Sequence, residues 1–446
     1  MLFGDRRFGA CFVVILLATA LNAYWVPAWE HATTVLASTL VAGVAWYLAM
    51  QIARGGKGSL LLIVLGAILL RSVGLATWPD LSDDIYRYAW EAELVVEGVS
   101  PYAYAPDSSE LGWLKDRRPE LFARMNNTDI SAAYPPLTQA ACALVVAAAN
   151  QFGISAIFLL RAFFTICDLL VLWPLCILLG ALGVSRNLCV TWAWCPLVLM
   201  EFSGSGHFDS FGILLLISAL ALFASNARVR ASLGPALLAG AIVVKYIPLA
   251  ALPFAVRKEG GWRRCVLVLI LCAAAFVPLF WMEGAFDGLF HALGEYGLRW
   301  QSSGLVHPYL AELVEEHLNQ DGGLFDARRV TRILLAGAWF LVAAIVWRRK
   351  LDAVQSTGIL LGAFLILTPT LHPWYVTWII PFIALRPRAS WCWLVLTIPC
   401  YYQILEGWKQ DGTWELSPTV RAFVALPFAL LLCYEMLRSA LTERTS

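Results

Sequence analysis

WPDLSDDIYRYAWEAELVVEGVSPYAYAPD, Trp78 to Asp107, breaks an apolar run with two adjacent aspartates, and the chain then stays polar and aromatic-rich until YPPL at Tyr134–Leu137. Around this stretch the sequence is of another kind. Of its 446 residues 60% are hydrophobic and only 14% charged. Apolar runs of about 16 to 24 residues recur, each long enough to cross a ~30 Å hydrocarbon layer as a helix. These features predict an all-α polytopic membrane protein, and they make the polar stretch a loop outside the lipid.

Lys and Arg number 32 against 31 Asp and Glu, with no basic tail or charged block, so composition gives no sign of a nucleic-acid partner. Eleven cysteines are present, but Cys11, Cys142, Cys167, Cys189, Cys272 and Cys433 lie inside apolar runs, and none falls between 78 and 133. That distribution suits small packing residues rather than a disulfide framework or a zinc site. The first run, Phe8 to Val26, is long for a signal peptide and has no clear small-x-small cleavage site, so it is expected to stay as a helix.

Short loops rich in Lys and Arg stay on the cytoplasmic side. Arg6/Arg7, Arg54/Lys57, Arg186, Arg228/Arg230, Arg257/Lys258/Arg263/Arg264, Arg348/Arg349/Lys350, Arg386/Arg388 and Arg438 supply such anchors. With all of them inside, helices near 8–26, 33–53 and 59–77 deliver the loop from Trp78 to the outer face. The same assignment places GSGHFD, between runs 190–203 and 208–225, and LHPWY, between runs 357–371 and 374–385, on that face too. Two intervals count unevenly, YPPL to Arg186 and Arg230 to Arg257, and short or re-entrant helices are expected there, enclosed by protein or a wet cavity. Arg328, Arg329 and Arg332 remain outside, in a loop long enough to translocate regardless of charge.

The polar groups gathered on the outer face each have an ordinary and a chemical role. Ser82, Asp83 and Asp84 form a helix N-cap with acids in the first turn, or one carboxylate takes a proton from a substrate hydroxyl. The helix they open has Ile85, Tyr88, Trp90, Val95 and Val96 apolar against Arg87, Glu91, Glu93 and Glu97, a pattern for lying along the interface. Tyr102 and Tyr104, in the turn after Gly98, are interfacial belt residues or sugar-stacking rings. Glu201, His207 and Asp209 within nine residues of one helix end are a solvated turn or a built site. Lys245 sits in AGAIVVKYIPLAALP with no acid nearby in sequence. An unpaired ammonium there costs about 3 kcal/mol or more, and a lipid phosphate would relieve it. His372 caps a turn or donates to the same phosphate, and Arg161 opens an apolar run.

SDDIYRYAWE…GVSPYAYAP, YPPL, WAWCPLVLMEFSGSGHFD, VVKYIPLAALP and LTPTLHPWYVTW together resemble the GT-C superfamily of membrane glycosyltransferases, nearest its bacterial mannosyltransferase-like members. The resemblance covers about Trp78 to Leu385. It implies a bundle of about 12–14 transmembrane helices with a long first outer loop carrying interfacial helices. It also implies two N-terminal helices (1–57), a catalytic core (58–385) with outer loops 78–133 and 284–328, and C-terminal helices with a cytoplasmic tail (386–446). WEAEL stands where WDG is expected, and two hydrophobic helices precede the loop-bearing one where the basic plan has one.

The activity so implied is inverting transfer of a sugar, mannose or another hexose or pentose, from a polyprenyl-phosphate carrier to an extracytoplasmic hydroxyl of a glycan, lipid or protein, in the inner or plasma membrane. Asp84 is the expected catalytic base with Asp83 beside it. Lys245, Arg87, His207 and His372 are expected at the donor phosphate, and Tyr102, Tyr104, Glu201, Asp209, Trp374 and Tyr375 at the substrates. No cofactor is firmly expected and no metal site is assigned, although two adjacent carboxylates suit a divalent cation. A transporter or flippase of lipid-linked saccharides is the rival from another class, and it would carry inverted repeats and mid-membrane polar residues.

Overall fold

The computed structural model describes residues 5–24, 32–76, 81–225, 228–255, 257, 261–299, 303–317 and 327–445. Apolar solvent demands that backbone groups be satisfied within each segment, and every regular element among the described residues is helical. The principal helices are α1 (Arg6–Tyr24), α2 (Ala32–Arg54), α3 (Leu60–Leu75), α4 (Asp84–Val96), α5 (Pro136–Phe152), α6 (Ala156–Ala181), α7 (Asp209–Ala224), α8 (Arg228–Val244), α9 (Gly261–Phe276), α10 (Ala285–Arg299), α11 (His307–Glu315), α12 (Ala327–Arg349), α13 (Ala353–Leu367), α14 (Ala389–Thr397) and α15 (Pro418–Thr445). Among the described residues six segments are long and apolar enough to cross a membrane: Arg6–Ala23, Thr34–Arg54, Ala156–Ala181, Gly261–Trp281, Ala327–Arg349 and Pro418–Thr442. Shorter apolar helices accompany them at Leu60–Leu75, Asp209–Ala224, Leu233–Val244, Ala353–Leu367 and Pro373–Leu385. The chain is an all-α, multi-pass membrane protein.

Between YPPL and Arg186 the chain forms α5 and α6, and of the two α6 is long and apolar enough to span a membrane. After α8 the helix breaks at Lys245 into a 3-10 turn, Ile247–Ala251, and a short helix, Leu252–Ala255. The point where the polar loop was expected to emerge, Trp78, lies outside the described residues.

Chain contacts define two compact units. One combines Met1–Val73, Leu179–Leu199 and Gln301–Ser446, and the other Gly74–Leu178 and Met200–Trp300. In the first, the Trp194 ring lies 4.6 Å from Phe8 and 5.1 Å from Phe12, and its indole donates to the Ile63 carbonyl at 3.1 Å. The Arg71 guanidinium, buried in α3, donates to the Ala193 carbonyl. Farther along the same unit, Gly304 donates to the Pro369 carbonyl at 3.0 Å and Leu371 to Ser303 Oγ at 3.1 Å, which seats the residues before α11 on the strand of chain leading to His372.

In the second unit residues 81–133 form a folded cap. Trp90 and Leu94 of α4 pack with Leu111, Leu114 and Met125, and the other side of α4 packs on α5 and α6 through Ile85, Tyr88, Val146, Leu160 and Phe164. Ile85 through Leu94 are all buried. This corrects the expectation of a helix lying along the interface with its polar face in water: Arg87, Glu91 and Glu93 are enclosed and paired. Helix α10 closes over the same cap, its Gly288 so near the Tyr102 carbonyl that no Cβ fits between them.

Candidate active site

Helix α4 begins at Asp84, with Asp83 at the N-cap position but making no side-chain capping bond. Asp83 accepts instead from the Asn126 amide, and Ser82 Oγ takes the Asp84 N–H at 3.3 Å. Capping therefore does not account for the two carboxylates. One turn on, Tyr88 stands on the same helix face as Asp84, its hydroxyl 3.4 Å from Asp84 Oδ2 and 3.3 Å from His207 Nδ1. Burial, then the adjacent Asp83 carboxylate, push the Asp84 carboxyl up to about 7, against the opposing pull of Asn126, Arg87 and Lys245. Burial also lifts the Tyr88 phenol well above its ordinary range, so Tyr88 stays protonated.

The segment MEFSGSGHFD reaches α7 through a π-helical turn, Leu199–Gly204, an irregularity frequent at functional sites. Ser205 N–H bonds the Met200 carbonyl and His207 N–H the Glu201 carbonyl, both at 2.9 Å. Between them Gly206 takes φ +79°, with Ile85 and Arg161 side chains crowding the space a Cβ would need, so only glycine makes this reversal without strain. Arg161 fixes the turn from α6, donating to the carbonyls of Gly74 at 2.9 Å and Ser203 at 2.6 Å. Glu201 Oε2 consequently lies 3.4 Å from His207 Nε2, and His207 Nδ1 is 3.9 Å from Asp84 Oδ2.

Asp209 is the first residue of α7 and Lys245 follows the last residue of α8. These are successive apolar helices of nearly equal length joined by a short connection, so the N-terminus of one meets the C-terminus of the other. An acid suits the first end and a cation the second. Lys245 Nζ lies 2.6 Å from Asp209 Oδ1 and 5.1 Å from the Phe208 ring centroid. This corrects the premise that Lys245 lacks an acid: its partner is 36 residues away in sequence. Thr138 Oγ1 of α5 donates to the Val244 carbonyl at 2.7 Å, tying down the break that presents Lys245.

Arg87, expected at the donor phosphate, is held inside the cap. Its guanidinium meets Glu91 at 2.8 Å, the Asn127 carbonyl at 2.8 Å and the Ile130 carbonyl, while Gln139 Nε2 donates to the other Glu91 oxygen at 2.6 Å. Tyr102, expected to stack on sugar, is 1% exposed and donates to the Tyr134 carbonyl at 2.7 Å; it belongs to the core with Ala132 and Leu289. Tyr104 packs half-buried against the Trp90 cluster. In the other unit, His372 stacks on Trp374 at 4.3 Å and 4° and meets Tyr375 edge-on at 5.3 Å.

Asp83, Asp84, Glu201, His207, Asp209 and Lys245 thus gather in one unit. Tyr88, Asn126 and Gln139 were missed. Only Tyr88 had a legible signal, its spacing of four from Asp84. Of the cluster's charged side chains, Asp84 keeps 18% of its surface and Lys245 14%, whereas His207 keeps 1% and Glu201 and Asp209 none. A carboxyl raised to about 7 and the Lys245 side chain keep exposed surface, with a buried polar layer of His207, Glu201 and Asp209 beside them. Such a pair can accept a proton and stabilise a leaving anion.

Residues 7–258 match the sequence profile described as alpha-(1->6)-mannopyranosyltransferase, N-terminal domain, and residues 317–437 that of the MptB C-terminal domain. Alpha-(1->6)-mannopyranosyltransferase A of Mycobacterium tuberculosis is 25% identical over 397 residues, covering 82% of this chain and 73% of its own length. A Mycolicibacterium smegmatis protein named in the same enzyme class is 25% identical over 413 residues, covering 82% of this chain and 72% of its own. No solved structure matches. The profile spanning α1 through the Lys245 break covers more than half of the sequence, and the chain is a membrane glycosyltransferase belonging to the alpha-(1->6)-mannopyranosyltransferase family.

Proposed function

We propose that this protein transfers mannose from a polyprenyl-phosphate carrier to an acceptor hydroxyl at the extracytoplasmic face of the plasma membrane, inverting the anomeric centre. The observation that carries this is that Asp84 and Lys245, close enough to influence one another electrostatically, both keep exposed surface while His207, Glu201 and Asp209 are buried. The names of the relatives support mannose, and the acceptor is a glycan, lipid or protein carrying the hydroxyl.

The acceptor oxygen attacks the anomeric carbon as the bond from that carbon to the phosphate oxygen breaks. Asp84 takes the hydroxyl proton, and the carrier leaves as a phosphate monoester with the bonding electron pair. One displacement at one face inverts the centre. Charge grows on the departing phosphate, and a cation at the edge of a low-dielectric site stabilises that change far more than it would in water. Asp209 keeps the Lys245 ammonium charged and aimed. Arg87, locked between Glu91 and two loop carbonyls, is assigned to holding α4 under its cap.

The test is transfer of radiolabelled mannose from polyprenyl phosphate by the purified protein in detergent or nanodiscs. Removing a general base lowers rate by about 10²–10⁴-fold, so Asp84→Asn is expected to fall by at least about a hundredfold, and Lys245→Gln to lose donor affinity and rate together. Full activity of Asp84→Asn, or transfer from a nucleotide sugar in place of the lipid donor, overturns the proposal.

A further inference from the structure

We propose that Tyr88, His207 and Glu201 form a proton relay that draws the proton off Asp84 during each transfer, so that His207 handles a proton instead of binding the donor phosphate. The relay rests on Asp84 being the base. Asp84 takes up a proton at each turnover, and the Tyr88 hydroxyl links it to the buried His207 behind it.

Tyr88 has one hydroxyl hydrogen and two acceptors within reach, Asp84 Oδ2 at 3.4 Å and His207 Nδ1 at 3.3 Å. Two arrangements satisfy all three groups. In one, protonated Asp84 donates to the Tyr88 oxygen and Tyr88 donates to neutral His207 Nδ1. In the other, ionised Asp84 accepts from Tyr88, whose oxygen accepts from Nδ1–H of an imidazolium. The two differ by one proton shifted along the chain, without a tyrosinate and without any heavy atom moving by a bond length. Asp84 and His207 stand 3.9 Å apart, too far for direct transfer, so the phenol is the necessary middle member.

The imidazolium formed at His207 is 99% enclosed, and a buried cation needs a counter-charge. Glu201, fully buried, supplies it with Oε2 at 3.4 Å from Nε2. No phosphate is needed to explain either group. The imidazolium holds the proton while the products occupy the site; when they leave, the proton returns through Tyr88 to Asp84, whose 18% exposed side chain releases it to water or to the departing phosphate monoester. The charged groups around the relay are Asp83 and Arg87 on α4 and Asp209 and Lys245 at the α7 and α8 ends.

The experiment compares Tyr88→Phe, His207→Gln and Asp84→Asn in the lipid-donor assay with binding of the donor. Both relay variants are expected to lose at least about tenfold in kcat with KM and donor affinity unchanged, a share of the ~10²–10⁴-fold worth of positioned proton transfer. In His207→Gln the solvent deuterium isotope effect on kcat should rise as proton departure becomes limiting. Unchanged kcat in both relay variants beside an inactive Asp84→Asn overturns the relay alone. A raised KM and weakened donor binding in His207→Gln return that residue to the phosphate. Full activity of Asp84→Asn removes the base and the relay together. Tyr88→Phe deletes one oxygen and is a second reading should His207→Gln fail to fold.

Discussion

Asp84 works against its own solvation. Its carboxyl is raised to about 7 by burial and by Asp83, so a substantial part is ionised at neutral pH, and rate should climb with pH to a half-maximum near 7. The stability effect has the opposite sense. A carboxyl that holds its proton more tightly folded than unfolded lowers the stability of the native state as pH rises from the ordinary aspartate value near 4 toward 7. Asp84→Asn should therefore abolish transfer while raising the melting temperature relative to wild type at pH 8, with no comparable gain at pH 4. Asp83→Asn, which removes the second cause of the shift, should move the activity midpoint to lower pH. An unmoved midpoint would assign the whole shift to burial. The acids, the histidine and the lysine were all legible as residues, because charged groups in apolar sequence stand out. Their pairing was not. Nothing local connects Asp209 to Lys245, and reading Lys245 as a cation without an acid came from treating a sequence neighbourhood as a spatial one.

At the scale of elements, the site is made of helix ends: the start of α4, the start of α7 and the broken end of α8. Equal lengths in the α7–α8 hairpin bring two of these to one level, and that inference was available from the two apolar runs once their boundaries were read. The amphipathic pattern of α4 misled for a physical reason. Its polar stripe meets loop carbonyls and Arg118 of the folded cap together with Gln139 and Asn150 of α5, which neutralise it, and a single helix sequence cannot tell water from such partners. Thr138 offers the cleanest test of how element packing sets chemistry. Its hydroxyl bonds the Val244 carbonyl at 2.7 Å, a buried bond worth about 1 kcal/mol. Thr138→Val keeps the shape and removes the bond. The variant should lose about 1 kcal/mol of stability and show a several-fold higher KM for the lipid donor as Lys245 loosens from Asp209. A change in kcat with KM constant would count against Lys245 as the phosphate ligand.

Over the whole molecule, what could be read from sequence followed from two strong rules, the length of apolar runs and the placement of basic loops. The all-helical architecture and the first three helices emerged within a few residues of their observed limits, because a ~30 Å hydrocarbon layer leaves little freedom. Helix α5 reads as apolar by eye yet carries Gln139 and Asn150, which bond Glu91 and Glu93 of α4. The organisation into two units, each assembled from separated stretches of chain, leaves no trace in composition. Sidedness is the global property on which the transfer reaction depends, and native thiols give access to it. Cys265 follows the basic Arg263/Arg264 pair and should face the cytoplasm, whereas Ser109, exposed in the cap, should face outward. In a Cys433→Ser background, which removes the exposed thiol of α15, Ser109→Cys should react with a membrane-impermeant maleimide in intact cells. Cys265 should react only after the membrane is opened. Labelling in the reverse order would place Asp84 and its cluster on the cytoplasmic side, where a nucleotide-linked donor would have to replace the lipid-linked one.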